Sequence, residues 1–456
     1  MAIDIESQGQ MCLLQRTDFR TMITLPHGHR LVTLYEAIPW HELMEKAIPI
    51  LYDEHGISPH IGRELNLRAH LGAYILQTVH GWTDRWTEEM IRYYVPARIF
   101  CGFLESTGSL DHTRIEAFRN RFGEKGACLI TQDMLKVAQE YGFTGPEDVD
   151  MDTTVQEAGI THPTEMKLID HLLKKANRIH KKIKEVSKRG IAGIKKAVKT
   201  FFEIYTGYRF FAKTKEKKTK AIKKSVKIAK MVLAEMSKVR TRVTSLCKRD
   251  QNSFHQIIQL GPKLMEQILS WLRTGRVASN KIVSLWKTAP KAICKGKIGK
   301  KVEFGRKWII NCYRGGYVLV SAPAKVKISD QHCIEESMNL HFEVFEDAPV
   351  SYATDRGMWS EKNVTRCLRA GIQKVGIQPK GKAIPLVSQR DHQRLKNRRA
   401  GIEPRIAHLK TRGLGRSRMK TDTGDLISGY RSGLSYNLSH LMKDLIQFKA
   451  AKSIAA

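Results

Sequence analysis

The run VDMDTTVQEA at residues 149–158 alternates polar and apolar side chains, the period of a strand with one buried face. On both sides of it the period is helical. Upstream, WHELMEKAIPILYDE, LRAHLGAYILQTVHGWTDRWTEEMIRYYV and, more weakly, HTRIEAFRNRFGE carry apolar residues at helical spacing until GFTGPED breaks the pattern. Downstream, Ile169, Leu172, Leu173, Ala176, Ile179, Ile183 and Val186, then Ile222, Val226, Ala229, Leu233 and Met236, mark long amphipathic helices. β-rich patterning returns at KVEFGRKWIINCYRGGYVLVSAPAK, two runs about Arg314-Gly315-Gly316 that read as a hairpin. The order constrains the fold: a helical segment, one strand, a long helical insertion, then the rest of a sheet. The expected boundaries are 1–145 for an N-terminal all-α domain, 146–166 for the first core strand, 167–299 for the insertion and 300–456 for the remaining core.

Charge is segregated along the same boundaries. The 456 residues carry 78 Lys+Arg against 45 Asp+Glu, a net of +33 that points to a polyanionic partner, most simply nucleic acid. Residues 1–145 hold 14 basic and 18 acidic side chains, so any DNA contact there needs a local basic face such as Arg114, Arg119 and Arg121, a run that reads more readily as a solvated helix face. Residues 167–250 hold 27 basic and 6 acidic, a net of +21 on one helical block. Lysine faces of that density suit the phosphate backbone, which orients DNA without reading its sequence. The eight cysteines show no C-x-x-C spacing, against a zinc module or disulfide scaffold and for a reducing cytosol. The acidic start MAIDIESQGQ is no signal peptide, and no apolar run approaches the ~18 residues of a membrane span.

Beyond the hairpin the elements alternate. A helix in QHCIEESMNLHFEVFED is followed by the strand VSYAT, which ends at Asp355. A helix N-capped by Ser360, the strand KVGIQP and the helix RLKNRRAGIEPRIAHLKTRGLGR come next, and GDLISGYRSGLSYNLSHLMKDLIQFKAA closes the chain as a further helix. On a continuous helix Arg399, Glu403 and Lys410 share one side, beside an apolar stripe of Ile402, Ile406 and Leu409. Arg399 and Glu403 also read as an ordinary i, i+4 ion pair. Carboxylates gathered at strand ends repel unless cations sit between them, and oxygen ligands suit Mg²⁺ or Mn²⁺. Two such ions, about 3.5–4 Å apart, activate a nucleophile and stabilise the leaving oxygen of an in-line displacement.

Several residues carry second readings. Asp150 shares a strand face with Asp152, and Glu303 on the first hairpin strand either approaches the acids or pairs with Arg306 or Lys307. Trp359 either belongs to the core or stacks on a flipped base. GIQPKGKA, residues 376–383, has the spacing of a phosphate loop but ends in Ala383 where a Mg²⁺-binding hydroxyl is required, so no nucleotide cofactor is expected.

The chain resembles bacterial insertion-sequence transposases of the DDE type. The resemblance runs through LDHTRIEAFRNRFG, DTTVQEAGITHPTE, KGKIGKKVEFGRK, TDRGMWSEKN and RRAGIEPRIAHLK. It implies an RNase H-like α/β core, a mixed sheet flanked by helices, interrupted by the basic insertion between its first and second strands. It implies Asp152, Asp355 and Glu403 as catalytic and metal-binding residues for two Mg²⁺ ions, with Mn²⁺ able to substitute. By the same analogy Arg399 and Lys410 contact DNA phosphates, with Arg356 in the Asp-Arg-Gly motif and Lys396 at the position of the signature's tyrosine. The partners implied are the terminal inverted repeats, for which the 1–145 domain is the candidate binder, and target DNA, held by a homodimer or larger assembly in a bacterial cytoplasm, at the nucleoid. A nuclease that cuts without strand transfer and a non-catalytic nucleic-acid-binding protein are the rival readings.

Overall fold

The computed structural model describes residues 29–52, 66–103, 108–187, 193–294, 302–323, 328–379 and 387–455. The chain divides into two compact units, Met1–Glu157 with Lys307–Ala456, and Ala158–Arg306.

The first unit begins with α1 (Arg30–Ala37), α2 (Trp40–Tyr52), α3 (Leu67–His80), α4 (Asp84–Tyr93), α5 (Val95–Phe100) and α6 (His112–Glu140). The long apolar stretch after residue 66 is cut into three helices by local chemistry. Asn66 caps α3 through the Ala69 amide, Gly81 ends it at φ +67°, and Thr83 starts α4 by accepting from the Trp86 amide. Pro96 then fits the first turn of α5. α6 bends at Gly123, whose φ is +60°. Along α6, Arg114 is exposed, Arg119 pairs with Asp84, and Arg121 donates to the Leu51 carbonyl at 2.9 Å.

Strand β1 (Asp148–Glu157) follows, and the chain then enters the second unit. There α7 (Glu165–Ser187), α8 (Ile194–Phe210), α9 (Lys215–Ser237) and α10 (Lys248–Thr274) enclose their own core, including Leu172, Ile179, Phe201, Val226, Phe254 and Met265. The apolar series read from the sequence is buried in both α7 and α9, except that the side chain of Val186 is outside the described residues. Lysines 215, 217, 218, 220, 223, 224, 227 and 230 of α9 are exposed. Lys175 turns inward: it lies 3.6 Å from the Trp286 ring centre, and burial lowers its pKa to about 8. Strand β2 (Lys291–Cys294) pairs antiparallel with the start of β3 (Val302–Cys312), Lys291 opposite Gly305 and Cys294 opposite Val302. Residues 295–301 lie outside the described residues.

The remainder of β3 returns the chain to the first unit, where β4 (Val318–Ser321) folds back on it antiparallel. The intervening turn at Arg314–Gly316 needs glycine at 315, because φ is +71° and a Cβ would meet the Phe143 carbonyl oxygen at 2.1 Å. α11 (Cys333–Phe345), β5 (Ser351–Thr354), α12 (Glu361–Arg369), β6 (Lys374–Ile377), α13 (Gln389–Ala400), α14 (Ile402–Leu409) and α15 (Asp422–Ala455) complete the chain. Ser360 caps α12 as its sequence indicates, accepting from the Asn363 amide at 3.2 Å.

The six-stranded mixed sheet has the order β2-β3-β1-β5-β6, with β4 also on β3. β1 pairs parallel with β5, and β5 with β6. One apolar cluster joins the N-terminal helices to this sheet, with Leu34, Leu71, Ile75 and Phe122 in contact with the group that holds Val149, Met151, Ile309 and Tyr352. α15 lies over it, burying Leu434, Leu438, Leu441 and Leu445. Its approach to β3 depends on Gly429, where a Cβ would sit 1.9 Å from Trp308 Cζ2. Among the described residues no helix is long and apolar enough to cross a membrane.

Candidate active site

The parallel pairing of β1 with β5 sets the site. Asp150 lies opposite Ala353 and Met151 opposite Thr354, so Asp152 and Asp355 come next, side by side, where β5 ends. Asp152 Oδ1 accepts from the Thr153 amide at 2.6 Å. Asp355 caps the 3-10 turn Arg356–Met358 by accepting from the Arg356 amide at 2.7 Å. Arg399 joins the two acids: its guanidinium nitrogens lie 3.8 Å from Asp152 Oδ2 and 3.8 Å from Asp355 Oδ1. Both separations exceed hydrogen-bond length, so the attraction is Coulombic and adaptable rather than a fixed fork.

Arg399 reaches this point because of how α13 is seated. Ser388 caps the helix by accepting from the Asp391 amide at 3.1 Å, and Lys374 of β6 holds Asp391 at 3.0 Å. Leu395 is buried against the strands, and Gly376 makes room, since a Cβ there would lie 2.9 Å from Leu395 Cδ1. One turn further, Arg398 and Arg399 face β1. Arg398 donates through Nε to both Asp150 oxygens, at 2.9 and 3.1 Å, pairs with Asp148 and reaches Ser351 Oγ at 2.6 Å. Asp150 is 3% exposed; burial pushes its carboxyl up while the Arg398 charge pulls it down. Of the two acids on this strand face, Asp150 is therefore committed to Arg398, and Asp152 is the one beside Asp355.

The continuous helix expected around Glu403 is not formed. α13 stops at Ala400 and α14 starts at Ile402, so Arg399 and Glu403 stand on different helices. Pro404 is the cause. It has no N–H to donate to the Ala400 carbonyl and its ring would crowd that oxygen, whereas in the first turn of a new helix it costs nothing. Glu403 is exposed in that first turn, while Ile402 and Leu409 are buried and α14 packs on β1. Lys410 is half-buried and opens a π-helical segment, Lys410–Leu414, so it too leaves the expected line.

The other expected contacts are distributed. Lys396 is exposed on α13, and Arg356 is exposed with its Nε 3.4 Å from the Pro379 carbonyl. Trp359 is half-buried against the main core, its carbonyl accepting from Gln331 at 3.0 Å. Lys307 pairs with Asp330, not Glu303. Residues 380–386, which include half of the rejected phosphate loop, lie outside the described residues.

Asp330 was not singled out by the sequence. It begins the 3-10 turn Asp330–His332, and its Oδ1 accepts from Lys307 Nζ at 2.7 Å and Thr153 Oγ1 at 3.1 Å. Its other oxygen faces Gly357, where a methyl group would sit 4.0 Å from Asp330 Oδ2 and 3.8 Å from Asp355 Oδ2. A further carboxylate thus borders the pair, with its charge balanced by buried Lys307. Elsewhere, Glu88, Asp111 and His112 bring three possible metal ligands together. Helix-end bonding accounts for that group: Asp111 caps α6, and Glu88 accepts from the His112 amide at 3.0 Å and lies 2.7 Å from its Nδ1.

Residues 19–121 match the family model of a transposase domain (DUF772). An uncharacterized protein, ORF8 in the nfe locus of Rhizobium meliloti, is 30% identical over 149 residues, which make up 30% of this chain. The chain spans 66% of that relative's length. No solved structure matches. The domain match supports a transposase family for this chain.

Proposed function

We propose that the protein is a DNA transposase of the DDE type. It binds the terminal inverted repeats of an insertion sequence, cleaves a phosphodiester at each end and joins the freed 3′-hydroxyls to target DNA. The observation that carries the reading is the pairing of Asp152 with Asp355 on adjacent parallel strands, both within 3.8 Å of one guanidinium. Two acids that already share a cation form a donor set fitted to hard divalent ions. The strand order, with β1 central, β5 and β6 parallel on one side and the β3–β4 hairpin on the other, supports an RNase H-like core.

Asp152, Asp355 and Glu403 would hold two Mg²⁺ ions, with Mn²⁺ able to substitute, which lower the pKa of an attacking water or hydroxyl and stabilise the leaving oxygen. The chain's own groups do the rest. Arg399 exchanges its contact with the acids for a DNA phosphate, and Lys396, Lys410 and Arg356 add positive charge for the backbone. Arg398 and Asp150 fix β1 and α13 against each other, so that Asp152 and Arg399 keep their relative placement. The lysine faces of the second unit attract the duplex over distances near the Debye length, about 8 Å at physiological salt. Pairing of two DNA ends calls for at least a dimer, acting in the cytoplasm at the nucleoid.

The test is incubation of the protein with end DNA, a target plasmid and Mg²⁺. Joined products covalently linking end to target are expected. Cleaved ends without joining would leave a nuclease, and binding without cleavage a non-catalytic DNA-binding protein.

A further inference from the structure

The corner between α8 and α9 presents two consecutive phenylalanines to solvent. Phe210 is 63% exposed and Phe211 74%. Their ring centres are 6.4 Å apart with planes inclined at 57°, and the Arg209 guanidinium lies 5.4 Å from the Phe210 ring centre. The corner is well braced. The Phe211 and Ala212 amides both donate to the Gly207 carbonyl, at 2.9 and 3.1 Å, the Lys213 amide donates to Phe211, and Thr214 caps α9. Two large rings held in water on a hydrogen-bonded corner forgo the stabilisation that burial brings, which marks them for a partner.

The surroundings identify the partner's chemistry. From 209 to 220 the exposed charges are Arg209, Lys213, Lys215, Lys217, Lys218 and Lys220 against the single acid Glu216. The partner is therefore polyanionic and offers flat apolar faces. A lipid surface is the weaker match, because a helix lying in a membrane needs a continuous apolar face, and α8 buries Ile194, Val198 and Phe201 in its own core. Nucleic acid matches both halves, phosphates for the basic side chains and base faces for the rings. In an intact duplex every base face is already stacked, so the rings require an opened step.

We propose that Phe210 and Phe211 form a base-stacking wedge that engages unpaired or unstacked bases while the flanking basic side chains hold the adjoining phosphates. This rests on the DNA-binding part of the function proposed above. Neither ring is needed by the core, so their removal leaves the fold intact.

The full-length protein is titrated with a paired duplex, with the same duplex carrying a two-nucleotide bulge that contains 2-aminopurine, and with phosphatidylglycerol vesicles. Tighter binding to the bulged duplex is expected, with a change in 2-aminopurine fluorescence. Phe210→Ala with Phe211→Ala lowers bulged-duplex affinity by about fivefold to a hundredfold and abolishes the fluorescence change. Affinity for the paired duplex, its salt slope and the unfolding temperature stay at wild-type values, and Phe211→Trp retains bulge binding. Equal loss on both duplexes, or no loss on either, overturns the wedge while leaving DNA binding standing. Vesicle binding that disappears in the double variant, with DNA binding unchanged, overturns it in favour of a membrane contact. If the wild-type protein binds neither duplex, the DNA-binding reading itself fails, and the wedge with it.

Discussion

Replacement of Asp355 by Asn is expected to lower end cleavage about a thousandfold, since the charge stabilisation at stake is several kcal/mol and each ~1.4 kcal/mol is tenfold in rate. Asp152→Asn should do the same. The amide keeps the size of the side chain and can still accept from the neighbouring backbone amide, which bonds Asp355 at 2.7 Å and Asp152 at 2.6 Å in the wild type. Fold and stability are therefore preserved. DNA affinity should hold or rise slightly, because a negative charge is removed beside the phosphates. Gel-shift and cleavage assays on the same preparations separate the two effects. Cleavage within tenfold of wild type in either variant would remove these acids from the chemistry.

Arg398→Met carries the largest expected effect on stability. Its loss leaves Asp150 buried with only the charge of Arg405 to offset it and with Asp148 two residues away, and breaking one side of a buried ion pair costs about 3–5 kcal/mol. Arg398 is itself partly exposed, at 27%, so the lower end of that range is the better expectation. The pH dependence has a definite sign. Burial already raises the folded-state pKa of Asp150 above its unfolded value, and removing Arg398 raises it further. A carboxyl with a raised folded pKa binds its proton more tightly in the native state, so stability falls as pH rises from the unfolded pKa through the folded one. Urea denaturation should therefore find the deficit of the variant larger at pH 8 than at pH 5. Adding Asp150→Asn should recover a large part of it at pH 8. An equal deficit at both pH values would mean that lost packing, not charge, is responsible.

The same residues show what a sequence exposes and what it conceals. Strand β1, the hairpin about Gly315, the short strand before Asp355 and the cap at Ser360 were all legible, because each depends on residues within a few positions of one another. The placement of Asp152 beside Asp355 was legible as an expectation, but the register that produces it belongs to two strands about 200 positions apart. The helix break at Gly401 was present in the letters as Pro404, yet the apolar spacing of Ile402, Ile406 and Leu409 suits a single long helix equally well. Helical spacing also directed attention to Arg399 and away from Arg398. Which of two adjacent arginines meets the buried acid is decided by how Leu395 docks on Gly376, a long-range fact. Asp330 left no local trace, since its partners Lys307 and Thr153 lie 23 and 177 positions away. The N-terminal helices share a core with the sheet for a similar reason: amphipathic periodicity says that a face is buried, not against what.

In the proposed mechanism Asp152 and Asp355, with Glu403, would make up one divalent-cation site. Anomalous diffraction from Mn²⁺ in crystals of the protein bound to end DNA tests it most directly. Manganese peaks are expected with carboxylate oxygens of Asp152 and Asp355 at ~2.1 Å, Glu403 completing the set and Arg399 drawn onto a phosphate. Manganese found instead at Glu88, Asp111 and His112, with Arg399 still between two unliganded aspartates in the DNA complex, would contradict it.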